Sequence, residues 1–480
     1  MSSNLVGITG FRRVPLILNI LKKYLPLLIT TIVAFIIWGV CYPAFMNGDS
    51  LVQYGQALMA NYDDWHPPIM AILLHYVLKL GGGIGFITLI QTVMGCIGIY
   101  LLSREILGLF NISGRNYYYL PFLILLILLS PISPLPFHLM AFIKDTWVEI
   151  GFIWIAYLSL HIHHIKTTQS KKALWNLVLL ITCMIFVLLV RHNAIVLLPV
   201  FMLQLYLLSN SYITTRKLKF SGIENSLLLL LVYFIISHQI YNSYHVTKTH
   251  PENQVYATEC LGILVNNIEN KKYLPYIYGH LTPNYATAYI PGNVAPIMWW
   301  GPVKAVDSTF DRNDSQFTAQ YYNLIKHAPL SLVKVKWDGF KLMIPPRIKY
   351  HWFHPQLDSN KYGLAQNENF KNIRLNWISR TKHVLSATPF AYIFGGHLLW
   401  FILNILLLVL FFIKKLSPNV IFTTVLFIPV LYCLSYLLAS TDPDFRFIYP
   451  STLLMEVLSF SLISVLSVNK LRPKQSTTSS

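Results

Sequence analysis

Long apolar runs separated by short polar connections fill most of this chain, and the length of the runs decides what they can build. Crossing about 30 Å of hydrocarbon takes about 20 residues of helix. Ten runs reach or approach that length: Leu25 to Phe45, Ile84 to Ser103, Tyr119 to Phe137, Ala141 to His161, Ala173 to Val190, Ala194 to Ser209, Ser226 to Tyr241, Ala391 to Ile413, Asn419 to Ala439 and Phe447 to Val468. Helix is the element they predict, because an isolated strand would leave its backbone N–H and C=O groups unpaired in lipid.

The pattern changes in two places. From Asn242 to Phe390, apolar, aromatic and basic positions mix with no run long enough to span, which predicts an aqueous domain of mixed secondary structure between the seventh and eighth spans. His66 to Leu80 is apolar enough for a further span, but counting it would put Lys144 and Arg191 on opposite sides of the membrane. It reads instead as a helix in the interface, ended by Gly81-Gly82-Gly83. The expected architecture is an all-α polytopic bundle of about ten spans. Residues 1–241 form an N-terminal module with a functional first loop at 46–83, and residues 242–390 an extracytoplasmic domain. The last helices occupy 391–469, and 470–480 is a tail that ends in the polar, disorder-prone segment Gln475 to Ser480.

Composition agrees, since a chain that is 55% hydrophobic and only 12% charged is not an ordinary soluble domain. The formal net charge of +18 would suit nucleic acid, but the basic residues are gathered on no single module, so no nucleic-acid partner is expected. They report topology instead. With the N-terminus cytoplasmic, the cytoplasmic segments hold about 17 Lys and Arg, whereas the short segments on the other side hold about four, Lys79, Lys144, Arg191 and Arg446. Both termini are therefore expected in the cytoplasm, with the bacterial plasma membrane as the setting. Arg12, Arg13, Lys22 and Lys23 precede an apolar run too long for a cleavable signal, so the first span is expected to stay as an anchor. Cys41, Cys96, Cys183 and Cys433 fall in spans and Cys260 stands alone in the aqueous domain, which predicts neither a disulfide framework nor a zinc site.

The ionisable residues that touch the membrane lie almost all on one side. Asp49, Asp63, Asp64 and His66 follow the first span; Lys144, Asp145 and Glu149 open the fourth; Arg191 and His192 separate the fifth and sixth; Asp442, Asp444 and Arg446 precede the tenth. Four chain segments thus converge where a charged lipid head group would lie. Asp49 has two readings: a general base whose pKa the low-dielectric edge raises, or a helix start with Asp49 or Ser50 as N-cap. Asp63-Asp64-Trp65-His66-Pro67-Pro68 reads as a solvated turn before a Pro-started helix, or as a second acid and an imidazole beside Asp49, a candidate ligand set for a divalent cation. Lys144 pairs with Asp145 or faces a phosphate. Arg191 either snorkels from a hairpin or offers two parallel donors to phosphate. The basic stretch Lys334 to Lys349, with Trp337 and Phe340, suits an amphipathic face or anionic lipid heads.

The ordered set resembles the GT-C superfamily of membrane glycosyltransferases, which includes protein O-mannosyltransferases and lipid A aminoarabinose transferases. Asp49 stands where the family has an acid after the first span, and Trp65-His66-Pro67-Pro68 is similar to the start of its interfacial helix. Lys144-Asp145, Arg191-His192-Asn193 and Asp444-Phe445-Arg446-Phe447-Ile448-Tyr449-Pro450 are similar to its later polar motifs. The match covers about the first 210 and the last 90 residues and departs where many relatives have Asp-Glu in place of Asp49-Ser50. The resemblance implies a polyprenyl-phosphate sugar donor and a lipid, protein or glycan acceptor. It also implies that Asp49 is the general base and that Lys144, Arg191 and Arg446 hold the donor phosphate, with Asp64, His66, Asp145 and His192 in support. A transporter or flippase of lipid-linked sugar, or a non-catalytic polysaccharide-assembly subunit, is the alternative class.

Overall fold

Each of the ten apolar runs folds as helix over most of its length. The computed structural model describes residues 13–165, 170–212, 222–279, 281, 285–293, 315–345, 355–387, 389–414, 420–438 and 444–471. Arg12, Asp442, the end of the basic stretch at Lys349 and the tail Gln475 to Ser480 lie outside the described residues. The N-terminal half runs through α1 (Arg13–Cys41), α2 (Gly48–Met59), α3 (Ile69–Lys79), α4 (Ile84–Leu109), α5 (Arg115–Leu129), the short α6 (Leu135–Met140), α7 (Lys144–His164), α8 (Ser170–Val190), α9 (Leu198–Tyr212) and α10 (Gly222–Ser243). A 3-10 turn at His192–Leu197 leads into α9. The rest comprises α11 (Glu252–Asn266), α12 (Ser315–His327), α13 (Pro329–Met343), α14 (Lys371–Ala387), α15 (Leu398–Lys414), α16 (Val420–Leu438) and α17 (Phe445–Leu471), with short helical turns between.

Among the described residues, seven helices are long and apolar enough to cross a membrane: α1 from Tyr24, α4, α8, the His192–Ser209 unit, α10, α16 and α17 to Val468. The other three runs read as spans give shorter or more polar helices. The helix α5 has 15 residues and α15 has 17, and α7 opens on Lys144-Asp145 and closes on His161, His163 and His164. At a rise of about 1.5 Å per residue, the 11 residues of α3 reach only about 16 Å, too short to cross, as a helix lying in the interface would be. Gly81 ends it in the left-handed region at φ 80°, where glycine alone is unstrained, and the Gly82 N–H caps the Val77 carbonyl at 2.9 Å.

The bundle closes because small residues let helices approach. A Cβ on Gly95 would collide with the Leu139 side chain and one on Gly151 with that of Val187, so side chains of the α6 segment and of α8 pack directly on the α4 and α7 backbones. The chain leaving α1 is pinned from two sides. Phe45 N–H donates to the Met140 carbonyl and Phe142 N–H to the Phe45 carbonyl, both at 2.9 Å, while Met46 and the 356–358 segment exchange bonds of 3.0 Å. This clamp fixes where α2 begins.

The inserted segment differs from the mixed domain expected of it. Its described residues form helices and turns and no strand, and it divides in two. The helices α11, α12 and α13 build their own core around Cys260, Leu261, Phe317, Leu324 and Val335. Residues 355–387 instead join the core of the bundle, where Arg374 on α14 donates to the Val40 carbonyl at 3.2 Å and so caps the end of α1. The described part of the basic stretch is an amphipathic helix: Val335, Phe340 and Met343 are buried, and Lys334, Lys336 and Lys341 bond Asn266, Glu259 and Asp338.

Candidate functional site

The helix α2 starts at a cap that neither Asp49 nor Ser50 supplies. Asn47 does so: its Oδ1 accepts from the Ser50 N–H at 3.1 Å. Ser50 in turn donates from Oγ to the Phe142 carbonyl at 2.5 Å, which ties the first turn of α2 to the entry of α7. Asp49 is thereby freed of a capping duty and stands in the first turn with its side chain 42% exposed.

Three other segments bring their polar groups to it. Arg446, in the first turn of α17, donates from Nη2 to Asp49 Oδ2 at 3.0 Å, and its Nε lies 2.8 Å from Asp444 Oδ2. The Asp444 carboxylate also takes the Arg446 backbone N–H at 3.1 Å, an acid capping the helix it precedes. His66 Nε2 is 3.7 Å from Asp49 Oδ1, and His66 Nδ1 is 2.8 Å from Lys144 Nζ. In its ammonium form Lys144 can only donate, and with that form Nδ1 is the acceptor and the ring proton sits on Nε2, facing Asp49.

Burial by itself would raise the Asp49 carboxyl, as expected of an acid at a membrane edge. The cations around it, Arg446 foremost with Lys144 behind it, outweigh burial and hold the carboxyl well below the usual carboxylate range. The expected raised pKa is thus reversed in the resting protein, because its strongest neighbour comes from the far end of the chain. His66 is pushed down to about 3, first by burial and then by Lys144, so the imidazole is neutral. Asp444 goes the other way: burial raises it against the pull of Arg446.

No protein-family model, curated protein or solved structure matches this chain. The site's chemistry therefore rests on its own geometry.

That geometry separates the other candidates from Asp49. Arg191, expected at a phosphate, forms a buried ion pair with Asp145; its Nε bonds Asn193 Oδ1 at 3.1 Å, and its guanidinium lies 4.6 Å from the Phe447 ring centroid and 5.6 Å from that of Tyr436. Asn193 continues to Ser435 Oγ at 3.1 Å, so one buried cation joins α7, the 3-10 turn, α16 and α17. Asp64 is held by the N–H and hydroxyl of Thr249, at 2.6 and 2.8 Å, and Asp63 Oδ1 accepts from the Trp65 N–H at 3.1 Å. The half-exposed His192 bonds the Asp64 carbonyl through Nε2 at 3.2 Å. The pair Asp63-Asp64 thus forms a turn, and among the described residues no group of three His, Cys, Asp or Glu side chains converges to hold a metal ion.

The buried His138, His397 and Glu456 have no counterpart in the sequence reading. His138 Nδ1 meets Glu149 Oε1 at 2.9 Å beneath the site, and its ring packs 4.2 Å from that of Tyr449. His397 stacks on Phe445 at 4.4 Å and bonds Thr452. Glu456 is fully buried two turns deeper than Tyr449. Its signal is plain in retrospect, since one acid inside a run as apolar as Phe447 to Val468 has to be accommodated. The histidines carry no such signal.

Proposed function

We propose that this protein is a membrane glycosyltransferase that moves a sugar from a polyprenyl-phosphate donor to an acceptor hydroxyl at the end of the bundle carrying Asp49, which the charge asymmetry makes the extracytoplasmic one. The observation that carries the reading is an ionised, partly exposed carboxylate without a capping role, set among cations brought by α7 and α17. In this reading Asp49 takes the acceptor proton while the acceptor oxygen bonds to the anomeric carbon. The bond from that carbon to the phosphate oxygen breaks in the same displacement, which inverts the configuration. The departing polyprenyl phosphate leaves with its charge opposite Arg446 and Lys144. Arg191, held by Asp145, acts as a brace for the helices that carry these groups.

Arg446 has a double part. It holds Asp49 ionised but weakly basic at rest, and its transfer to the donor phosphate would return basicity to Asp49 when the substrate is in place. A small cleft between α3, α8 and α10 is lined by Ile69, Leu188, Leu189 and Ile240 together with His192, Tyr233, Ser237 and Tyr241. The full bundle of ten spans belongs to the same proposal.

A transporter of lipid-linked sugar is the second reading, favoured by the buried acids Glu149 and Glu456 inside the bundle. Purified protein given a panel of polyprenyl-phosphate sugars in detergent separates the two. An enzyme releases free polyprenyl phosphate without any gradient; intact donor after incubation with every acceptor class would remove the transferase reading.

A further inference from the structure

Three helices that pack against one another, α4, α7 and α17, each bury one glutamate: Glu105 at 2% exposure, Glu149 and Glu456 at 0%. They lie at different depths. At about 1.5 Å per residue, counted from the end that carries Asp49, Glu149 is about 7 Å along α7, Glu456 about 16 Å along α17 and Glu105 about 31 Å along α4. The middle one is near the centre of a slab about 30 Å thick.

The outer two have histidine partners. Glu149 meets His138 at 2.9 Å, and Glu105 meets His161 at 3.1 Å and His164 at 2.6 Å. Among the described residues neither carboxyl oxygen of Glu456 has a hydrogen-bond partner, and the titratable groups that face it are Glu149 and Tyr449. The hydroxyls of Ser451 on α17, Ser159 on α7 and Ser103 on α4 fall between the three levels, also buried and without a partner.

An ionised carboxylate stripped of water and of partners is costly in such a place, so Glu456 rests with a positive charge bound and is ionised only in passing. A hard metal cation needs several converging ligands, and among the described residues no three His, Cys, Asp or Glu side chains converge to supply them. A proton needs only one carboxylate. Buried hydroxyls with unused bonding capacity are the atoms along which waters order.

We propose that Glu105, Glu149 and Glu456 mark a proton path through the bundle, with Glu456 as its central proton-binding station. A proton enters at one Glu–His pair, passes to the Glu456 carboxylate to give the neutral acid, and leaves to the other pair. Each step breaks one O–H or N–H bond and forms another, and the net transfer is one positive charge. The path stands independently of sugar transfer.

The full-length protein in liposomes with a trapped pH dye, driven by a potassium gradient and valinomycin, tests it. Wild-type vesicles should change internal pH several-fold faster than protein-free vesicles, Glu456→Gln should return to the protein-free rate, and Glu456→Asp should keep part of the flux. Glutamine copies the neutral acid in shape, so the fold should hold. Dicyclohexylcarbodiimide, which attacks protonated carboxyls, should label Glu456 in the wild type. Wild-type flux no faster than that of empty vesicles, equal flux in Glu456→Gln, or no adduct at Glu456 would each overturn the proposal.

Discussion

Arg446 and Asp49 are 397 positions apart in the chain and 3.0 Å apart in the fold, Nη2 to Oδ2. The same guanidinium reaches Asp444 at 2.8 Å, so two carboxylates from opposite ends of the protein share one cation. The donor's phosphodiester is the natural competitor for that cation, because it offers a guanidinium the same planar pairing, and the departing polyprenyl phosphate adds further charge. In the proposed mechanism the base and the anion site are therefore one coupled unit rather than two neighbouring ones.

Asp49→Asn should leave the fold intact, because Asn47 supplies the cap of α2. Loss of a general base costs about 100-fold to 10,000-fold in rate. Asn47→Ala should do the reverse, lowering stability by about 1 kcal/mol while transfer continues. Thermal melts beside the polyprenyl-phosphate release assay read both. A folded Asp49→Asn protein that transfers at the wild-type rate would strip Asp49 of the role.

Arg446→Ala removes the strongest cation holding the Asp49 carboxyl down. The carboxyl then rises in the free enzyme, a smaller fraction is ionised at a given acidic pH, and the acid limb of the kcat/KM profile moves to higher pH. Donor KM should rise as well, since the phosphate loses its partner. An acid limb that stays in place would mean that Asp49 does not report on the reaction.

How much of this was legible depends on the range of the interaction. The helices were, because lipid forces every backbone group to pair within its own run, and the stop that leaves α3 short was legible in Gly81-Gly82-Gly83; its place in the interface is the proposal drawn from Lys144 and Arg191. The pairing of Asp49 with Arg446, and of Asp145 with Arg191, was not, because no local spacing encodes a contact between distant helices. The cap was a near miss: Asn47 is one of the strongest cap formers, and the neighbouring acid drew the assignment to itself. The division of the inserted segment was hidden because Arg374 looks like any exposed arginine until α1 ends beside it.

Arg191 and Asp145 form a buried pair, and breaking such a pair by removing one partner costs about 3–5 kcal/mol. Arg191→Met and Asp145→Leu should each destabilise the bundle, and the double variant should recover much of the loss. Arg191→Lys should lower stability with donor KM unchanged. A raised donor KM at unaltered stability would return Arg191 to the phosphate site.

Cysteines placed beside Asp49, Lys144, Arg191 and along the inserted segment should all react with a membrane-impermeant maleimide from outside the cell. The shared end of the bundle makes this a single test, since these positions stand or fall together. Labelling of the Lys144 or Arg191 position only after the membrane is opened would reverse the orientation and require α3 to be reconsidered as part of a span.

His66 gives a pH signature of its own. Its ordinary pKa is about 6.5 and in the folded protein it is pushed down to about 3, so between those values the unfolded chain takes up a proton that the native protein refuses. Stability therefore falls as pH is lowered through that window, by up to about 1.4 kcal/mol per pH unit for one proton, and is unaffected by His66 above it. His66→Gln keeps a side chain that can accept from Lys144 and donate toward Asp49, but it cannot titrate. Unfolding followed in detergent from pH 7 down to pH 4 should show a slope shallower by up to one proton in the variant. Sugar transfer at pH 7 should change little, because the neutral imidazole with its proton on Nε2 has no basic nitrogen facing Asp49. An unchanged slope would mean that His66 is not held neutral, and the assignment of its proton to the Asp49 side would fall with it.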